Sequence, residues 1–434
     1  MREMKDSGVA WIGEIPKEWE LKTIKQLMVE RNEKNRDGQT DTILSLSAKD
    51  GVTLYDSKNH TGNKPREDLS DYKVVRQGDI VVNSMNILSG AVGLSEYMGC
   101  ISPVYYIYYP RSDGNQQFFH YLFQSKQFQL SLRGLGNGIL IRETESGSLN
   151  TIRMRIPSQK LGAQLFPVPP VKTQARIVKT LDASIVKVDV LISNNEAQIE
   201  KLKQYKQSLI SEVVTKGLDP TVPMKDSGVE WIGEIPEHWN AVPINALFTI
   251  KKEIIGHEPD CVLSITQQGL KVKDISVNEG QMAANYDKYQ IVNIGDFAMN
   301  HMDLLTGGVG ISEYEGVTSP DYRVFTLRNT DMNKRYFLYI FQIYYRNKIF
   351  YAFGQGAANM GRWRLPAQNF KTMYIPVAPD LEQSAIVSYL DTKCTQIDHL
   401  IAIKQSKIEK LNQYKKSLIY EYVTGKKEVV PTNV

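Results

Sequence analysis

Cysteine is scarce in this chain, and long hydrophobic runs are missing. Its 434 residues include three cysteines, which are too few and too widely spaced for a disulfide framework. No apolar run approaches the ~20 residues that a membrane-spanning helix needs, and the N-terminal segment lacks the apolar stretch of a secretory signal. The sequence therefore predicts a cytoplasmic protein that does not cross a membrane.

A large excess of positive charge is also missing. The 52 Lys and Arg residues against 48 Asp and Glu give a net charge of +4. Composition alone therefore does not indicate nucleic-acid binding, and any such site needs its positive charge concentrated on one face. The length and the 42% hydrophobic content predict a globular protein of two or three domains.

The sequence lacks the common motifs of enzymes. It has no phosphate-binding loop of the G-x-x-x-x-G-K-[ST] type, no H-E-x-x-H helix and no paired C-x-x-C ligands for a metal. The glycines at 134–138 and 354–356 lack the flanking strand, helix and acid of a dinucleotide site, so we interpret both segments as loops. We expect no catalytic residues, no metal and no cofactor in this chain.

What the sequence does have is an internal duplication. Residues Met4–Trp19 return as Met224–Trp239 with 13 of 16 positions identical. A second block starting at Tyr72 matches at an offset of 217, and a third starting at Arg153 matches at an offset of 209. The segments between the last two blocks differ most, and the first is about nine residues longer. A shared scaffold with divergent loops indicates one task performed on two targets.

Within each copy, the pattern changes once from mixed α/β to helix. Short β-branched and aromatic runs alternate with turns and with a helical stretch near residues 118–132, and a proline-rich segment then precedes a long helix that ends before a glycine. Four segments follow: two α/β domains at 1–166 and 218–375, and two helical spacers at 167–217 and 376–434.

The two helices share a heptad pattern with apolar residues at positions a and d, which predicts an antiparallel coiled coil between them. We choose the register that places Asn195 beside Lys415 and Lys206 beside Lys404, because polar layers then meet polar layers. The alternative is that both helices pack against partner subunits. The predicted interface residues are Ile192, Ile199, Leu202, Leu209, Ile401, Ile408, Leu411 and Leu418.

A repeated Arg-x-Arg just after the divergent loops is the best candidate for phosphate contact, because guanidinium groups bind phosphate oxygens in bidentate geometry. The alternative is that these arginines pair with acids inside each domain. We expect base-reading residues in the non-matching loops at 137–150, 355–361, 56–68 and 275–288. The predicted DNA-binding residues are Arg142, Arg153, Arg155, Arg346, Lys348, Asn359, Arg362, Trp363 and Arg364.

Three repeated motifs together resemble the specificity subunit of type I restriction-modification systems. They are the Ser-Gly-Val-x-Trp-Ile-Gly-Glu-Ile-Pro-x-x-Trp opening, the Pro-Val-x-Pro-x-x-x-Gln helix start, and the Ile-Glu-Lys-Leu-x-Gln-Tyr-Lys-x-Ser-Leu-Ile-x-Glu helix end. The likeness covers almost the whole chain. One departure concerns Thr173, which stands before Gln174 where the family favours an acid such as Glu382.

The resemblance implies two similar α/β target-recognition domains separated by two long antiparallel helices, with pseudo-two-fold symmetry. It implies a non-catalytic subunit that reads a bipartite, asymmetric sequence in double-stranded DNA. It also implies two modification subunits that bind S-adenosylmethionine and methylate adenine, and restriction subunits that join for cleavage. Two other functions remain open: a coiled-coil scaffold that binds only proteins, and a self-contained DNA modification enzyme.

Overall fold

The computed structural model describes residues 2–36, 38–56, 64–136, 142–143, 149–150, 155–274, 285–356 and 363–429, with only the backbone at 142–143 and 149–150. The chain forms two compact units. The first contains Met1–Asn195 and Ser406–Val434, and the second contains Glu196–Gln405. Each is a mixed α/β unit that includes part of both long helices.

The first copy contains fourteen strands and five helices in its described part, and a 3₁₀ turn at Ile87–Ser89. The strands are β1 (Met4–Asp6), β2 (Glu14–Pro16), β3 (Glu20–Thr23), β4 (Met28–Glu30), β5 (Leu44–Ser47), β6 (Gly51–Leu54), β7 (Lys73–Val75), β8 (Ile80–Asn83), β9 (Val92–Leu94), β10 (Gly99–Ile101), β11 (Tyr105–Pro110), β12 (Arg142–Glu143), β13 (Leu149–Asn150) and β14 (Leu165–Val168). The helices are α1 (Ile24–Leu27), α2 (Gln116–Gln124), α3 (Lys126–Ser131), α4 (Ser158–Gly162) and α5 (Val171–Lys216).

The second copy repeats this order. Its strands are β15 (Met224–Asp226), β16 (Glu234–Pro236), β17 (Asn240–Pro243), β18 (Phe248–Lys251), β19 (Leu263–Thr266), β20 (Gly269–Val272), β21 (Gln290–Val292), β22 (Phe297–Met299), β23 (Val309–Ile311), β24 (Gly316–Thr318), β25 (Arg323–Leu327) and β26 (Tyr374–Val377). Its helices are α6 (Ile244–Leu247), α7 (Lys334–Arg346), α8 (Ile349–Ala352), α9 (Ala367–Thr372) and α10 (Asp380–Val423).

An antiparallel four-stranded sheet forms the centre of each unit. Its order is β4-β11-β8-β9 in the first unit and β18-β25-β22-β23 in the second. Successive side chains of β8 face opposite sides: Ile80 and Val82 join the aromatic core beneath α2, whereas Val81 packs with Leu44 and Val52 of the β5–β6 hairpin. The sheet is therefore covered on both faces, which explains its apolar runs.

The helical stretch predicted near residues 118–132 is two helices. Ser125 has φ of −58° and ψ of 122°, so it leaves the helical conformation and separates α2 from α3. In the second unit, the corresponding helix α7 continues without a break to Arg346. Strand β11 begins at Tyr105, shortly after Ser102-Pro103.

Both long helices begin and end where the punctuation predicts. Helix α5 starts directly after Pro169-Pro170 and ends before Gly217, whose φ is +77°. Helix α10 ends shortly before Gly425, with φ of +72°. A positive φ is costly for residues with a Cβ atom, so glycine suits this position after a helix.

A buried glutamine explains the motif at each helix start. The Gln174 side chain accepts a hydrogen bond from the Asn115 backbone (2.9 Å) and donates one to the Pro169 carbonyl (2.9 Å). Gln383 makes the same two bonds, from the Asn333 backbone (3.1 Å) and to the Ala378 carbonyl (2.8 Å). Each amide joins the start of a long helix to the cap of the helix that covers the sheet.

The two long helices pack against each other in each unit. In the first unit, Leu181 and Ile185 of α5 share a core with Leu418 and Tyr422 of α10. In the second unit, the shared core includes Leu209 and Ile397. The eight residues predicted for this interface are buried or half-buried: Ile192, Ile199, Leu202, Leu209, Ile401, Ile408, Leu411 and Leu418.

The predicted register of these helices is wrong. Lys206 pairs with Asp398 (Nζ–Oδ2 2.6 Å) rather than facing Lys404. Asp398 is the neighbour of Ile397, which precedes Lys404 by seven residues on α10. Lys415 pairs with Asp189 (Nζ–Oδ1 2.8 Å) instead of Asn195. Lys404 donates a hydrogen bond to the Gln198 side chain (2.5 Å). The helices are antiparallel, but one heptad away from the predicted alignment.

Charge pairing at the helix edge explains this register. The two ion pairs are the same pair made twice, because the offset of 209 converts Asp189 into Asp398 and Lys206 into Lys415. A long lysine at an a position can reach an acid on the edge of the interface and keep its charge in water. Asn195 is buried and donates to the Leu191 carbonyl of its own helix (2.6 Å), so it needs no polar partner on α10.

Candidate nucleic-acid interface

A cleft in the first unit lies beside the central sheet, where the chain resumes after the divergent loop at 137–154. It is lined by Glu30, Asn32, Lys73, Tyr106, Arg155, Pro157 and Ser158. These residues come from the end of β4, from β7, from β11 and from the segment before α4. The fold therefore brings together side chains that are far apart in sequence.

Two hydrogen bonds to the backbone of Ile156 fix the position of Arg155 at this cleft. The Ile156 amide donates to the Ser84 carbonyl (3.0 Å), and the Tyr106 hydroxyl donates to the Ile156 carbonyl (2.9 Å). Arg155 is exposed, and its guanidinium carbon lies 5.9 Å from the centre of the Tyr106 ring. The sheet thus positions Arg155 at the cleft even though the preceding loop diverges between the copies.

The first cleft also contains an acid. The Lys73 ammonium lies 3.5 Å from a Glu30 carboxylate oxygen and donates to the Tyr105 carbonyl (3.0 Å). The Ser158 hydroxyl donates to the Glu30 carboxylate. Burial lowers the pKa of Lys73, and Glu30 partly opposes this shift. The cleft presents an acceptor and donors together, which suits polar groups on a base edge as well as phosphate.

The second unit forms the equivalent site with other side chains. The Leu365 amide donates to the His301 carbonyl (2.9 Å), and the Arg323 guanidinium donates to the Leu365 carbonyl (2.8 Å). His301, Arg323 and Leu365 are the counterparts of Ser84, Tyr106 and Ile156 at the offsets of the repeat. Exposed Arg364 follows as the counterpart of Arg155.

The second site is more positive than the first. Burial, together with the charges of Arg323, Arg364 and Lys252, lowers the pKa of His301 to about 3. His301 is therefore neutral at physiological pH, and three permanent positive charges surround it. An arrangement of this kind favours an anionic ligand.

Comparison with known proteins finds likenesses to one group of proteins. Residues 236–413 match the family described as the type I restriction modification DNA specificity domain. The chain is 23% identical over 458 aligned residues to the MjaX type I restriction enzyme specificity subunit of Methanocaldococcus jannaschii, covering 96% of this chain and 95% of that protein. It is 25% identical to the MjaVIII specificity subunit of the same organism, over 62% of this chain and 63% of that protein.

The family model and these two relatives assign the likeness of this chain to specificity subunits of type I restriction-modification systems. The fold agrees with this assignment. One solved structure concerns complex assembly and conformational transition of the type I R-M system. A chain of that structure superposes on this one with a TM-score of 0.65 at 12% identity, and the match covers 94% of this chain and 98% of that one. DNA target recognition is the function associated with this family.

Five of the predicted DNA-binding residues have described side chains. Arg155 and Arg364 occupy equivalent exposed positions, as given above. Arg346 is exposed and lines a second cleft in the second unit with Lys203, Lys206, Gln267 and Gln268. This second cleft again combines positive charges with amides.

The other two described residues follow the end of α7. Lys348 is exposed with φ of +59°. Trp363 is half-buried and donates its indole N–H to the Tyr351 carbonyl (2.7 Å). Arg142 lies on β12 without a described side chain, and Arg153, Asn359 and Arg362 lie outside the described residues. The loops at 137–150, 355–361, 56–68 and 275–288 are mostly or partly outside them as well.

Sequence reasoning missed Glu30, Lys73, Tyr106, Lys252 and Arg323. The signal was present as differences inside blocks that otherwise match, such as Tyr106 against Arg323 on equivalent strands. Such differences do not reveal whether a side chain points to a core or to a cleft, so only the structure identifies them.

The part of the chain that the structure describes contains no group of three or more His, Cys, Asp or Glu residues arranged to hold a metal ion. Among the same residues, no helix combines the length and the apolar character needed to cross a bilayer.

Proposed function

We propose that this specificity subunit reads a bipartite, asymmetric DNA target, one half-site through each recognition domain. The domains are those delimited in the sequence, 1–166 and 218–375. The observation that supports this proposal is the pair of equivalent sites: Ile156 and Leu365 are held by hydrogen bonds at the same two backbone atoms, yet the surrounding side chains differ in charge and in hydrogen-bonding groups. A conserved frame with different linings suits two readers of different sequences.

Arg155 and Arg364 bind phosphates next to each half-site in this proposal, and Arg142, Arg153 and Arg362 act with them. Arg346, Lys348, Asn359 and Trp363 supply further contacts in the second domain. Exposed guanidinium groups beside a cleft fit the bidentate geometry of phosphate oxygens. Because phosphate contacts release counterions, the affinity for DNA should fall steeply with salt.

The helical segments 167–217 and 376–434 set the gap between the half-sites and dock two modification subunits. S-adenosylmethionine binds to those partners, which transfer its methyl group to an adenine N6 in each half-site, and restriction subunits join for cleavage. The specificity subunit itself is non-catalytic in this proposal, binds no cofactor and acts in the cytoplasm.

Mapping of methylated adenines in the source genome tests the proposal. We expect one bipartite motif with an adenine methylated in each half, which disappears when this chain is deleted. An unchanged methylation pattern after deletion would leave a protein-binding scaffold as the better explanation. Methylation or cleavage by the purified chain alone, with DNA, methyl donor and Mg²⁺, would instead indicate a self-contained enzyme.

A further inference from the structure

The cleft of the first unit can be compared position by position with the equivalent site of the second unit, because an equivalent ion pair fixes the strands in both. Arg31 pairs with Asp79 (Nε–Oδ2 2.8 Å) in the first unit, and its counterpart Lys251 pairs with Asp296 (Nζ–Oδ2 2.7 Å) in the second. Both pairs join the end of the outer sheet strand, β4 or β18, to the turn before β8 or β22. The residues that follow are therefore equivalent in space as well as in sequence.

The equivalent positions carry different charges. In order from the first unit to the second, they are Glu30 and Ile250, Asn32 and Lys252, Lys73 and Gln290, Tyr106 and Arg323, Arg155 and Arg364, and Ser158 and Ala367. Two cations and one anion give these positions of the first unit a net charge of +1, and three cations without an anion give those of the second unit a net charge of +3.

Arg323 is unusual for a buried cation. It is 4% exposed and makes no ion pair with any carboxylate of the described residues, and its Nη1 atom has no hydrogen-bond partner among them. Its guanidinium carbon lies 4.7 Å from the centre of the Phe370 ring. Burial lowers the pKa of Arg323 to about 10, so the group stays charged at neutral pH. A buried charge without a counterion is unfavourable, and a nearby anion would offset this cost.

We infer that Lys252, Arg323 and Arg364 form an anion site in the second unit that takes one phosphate of the DNA backbone. The inference rests on the proposed DNA-binding function. Exposed Arg364 and Lys252 touch the phosphate, and buried Arg323 acts as a positioning residue that holds the Leu365 carbonyl and adds charge beneath the site. In the first unit, Glu30 neutralises part of the charge, so the equivalent cleft binds phosphate more weakly.

The test uses the complex with modification subunits and a duplex carrying the methylated motif. The double variant Lys252→Asn and Arg364→Gln removes both exposed charges, and Asn is the residue that the first unit has at the first of these positions. Loss of one phosphate contact should flatten the slope of log K against log salt by about 0.9. Between 50 and 200 mM salt, the double variant should therefore lose roughly 3.5-fold less affinity than wild type does. The control variant Lys371→Gln, at the exposed end of α9, should leave the slope unchanged.

A neutral methylphosphonate placed at each backbone position in turn locates the phosphate. One position should weaken binding by wild type but have no effect on the double variant. Arg323→Tyr keeps a hydroxyl for the Leu365 carbonyl, as Tyr106 provides in the first unit, and should flatten the slope in the same direction as the double variant. If Arg323 only supports the Leu365 carbonyl, the slope stays unchanged with Arg323→Tyr. That result would remove Arg323 from the anion site.

The results of these experiments distinguish failure of the anion site from failure of the proposed function. If wild type binds its motif specifically while the double variant has the wild-type slope, the anion site is wrong and the proposed function stands. If wild type shows no sequence preference, the proposed function itself is wrong. If inorganic phosphate at constant ionic strength competes through these residues but the slope for DNA is unchanged, the site binds free phosphate and its assignment to DNA is overturned.

Discussion

At the residue scale, two buried tryptophans show how the copies have diverged. The Trp239 indole N–H donates to Glu382 (2.9 Å), which also bonds to the His238 ring (2.7 Å). In the first copy, the counterpart of Glu382 is Thr173, and the Trp19 N–H is buried without a partner among the described residues. The residue that departs from the family pattern is therefore the one that leaves a polar atom unsatisfied.

Replacing Glu382 with Thr should destabilise the second unit by about 1–3 kcal/mol, because the buried Trp239 N–H loses its acceptor. Urea denaturation of the full chain measures this loss. The matched control introduces the missing pair into the first unit, with Thr173→Glu and Glu18→His together, and should increase stability. Equal stability of Glu382→Thr and wild type would show that the indole bond contributes nothing.

A buried histidine gives the stability a pH dependence. Burial lowers the pKa of His120 to about 4. The unfolded chain, with an ordinary histidine pKa of about 6.5, therefore binds a proton between pH 6.5 and 4 that the folded chain does not. Stability should fall as the pH falls through this range, by up to about 2 kcal/mol between pH 7 and pH 5.

The variant His120→Leu tests this dependence, because leucine is the residue at the equivalent position 338. We expect a smaller loss of stability between pH 7 and pH 5 than in wild type, measured by urea denaturation at both values. A variant with the same loss would assign the acid sensitivity to other groups, such as His301.

At the element scale, the register of the long helices depends on edge residues. The apolar positions repeat every heptad, so alignments that differ by seven residues bury similar side chains. The reciprocal Lys–Asp pairs distinguish these alignments, although each exposed pair contributes little to stability. The register is thus specified by small differences in stability between alignments, which the heptad pattern does not reveal.

Cysteine cross-linking tests the observed register within the first unit. After replacement of the three native cysteines, Ile185→Cys with Leu418→Cys should form a disulfide under mild oxidation, because both side chains lie in one core between the helices. The pair Asn195→Cys with Lys415→Cys, which corresponds to the register predicted from sequence, should stay reduced. The reverse result would return the helices to the predicted register.

At the scale of the whole molecule, the duplication gives each unit its own α/β domain and its own share of both long helices. Under the proposed function, the determinants of sequence and of gap length should be separable. Sequence would depend on the recognition domains, and gap length would depend on the helices.

Exchange of residues 20–152 for the segment of a relative should change one half of the methylated motif and leave the other half unchanged. Insertion of one heptad within 185–216 and its partner segment should change the gap and leave both halves unchanged. Methylome sequencing of cells that carry each variant measures both outcomes. A domain exchange that changes both halves would contradict independent reading.

Much of the architecture followed from repeats and punctuation. The central strands β8 and β11 and the limits of α5 and α10 agree with the apolar runs, prolines and glycines that predicted them. The helix register and the break at Ser125 did not follow, since each depends on contacts with other elements. For the candidate interface, the exposed arginines could be found from the repeat, but their neighbours Lys73, Lys252 and Arg323 could not.

By itself, the sequence determined that one scaffold occurs twice, that long helices follow each α/β segment, and which family motifs are present. These properties are local or periodic, so they can be read along the chain. Only the tertiary structure decided which heptads face each other and which side chains line the two clefts. Those outcomes depend on residues hundreds of positions apart, whose small differences in packing and charge pairing become comparable only when the chain has folded.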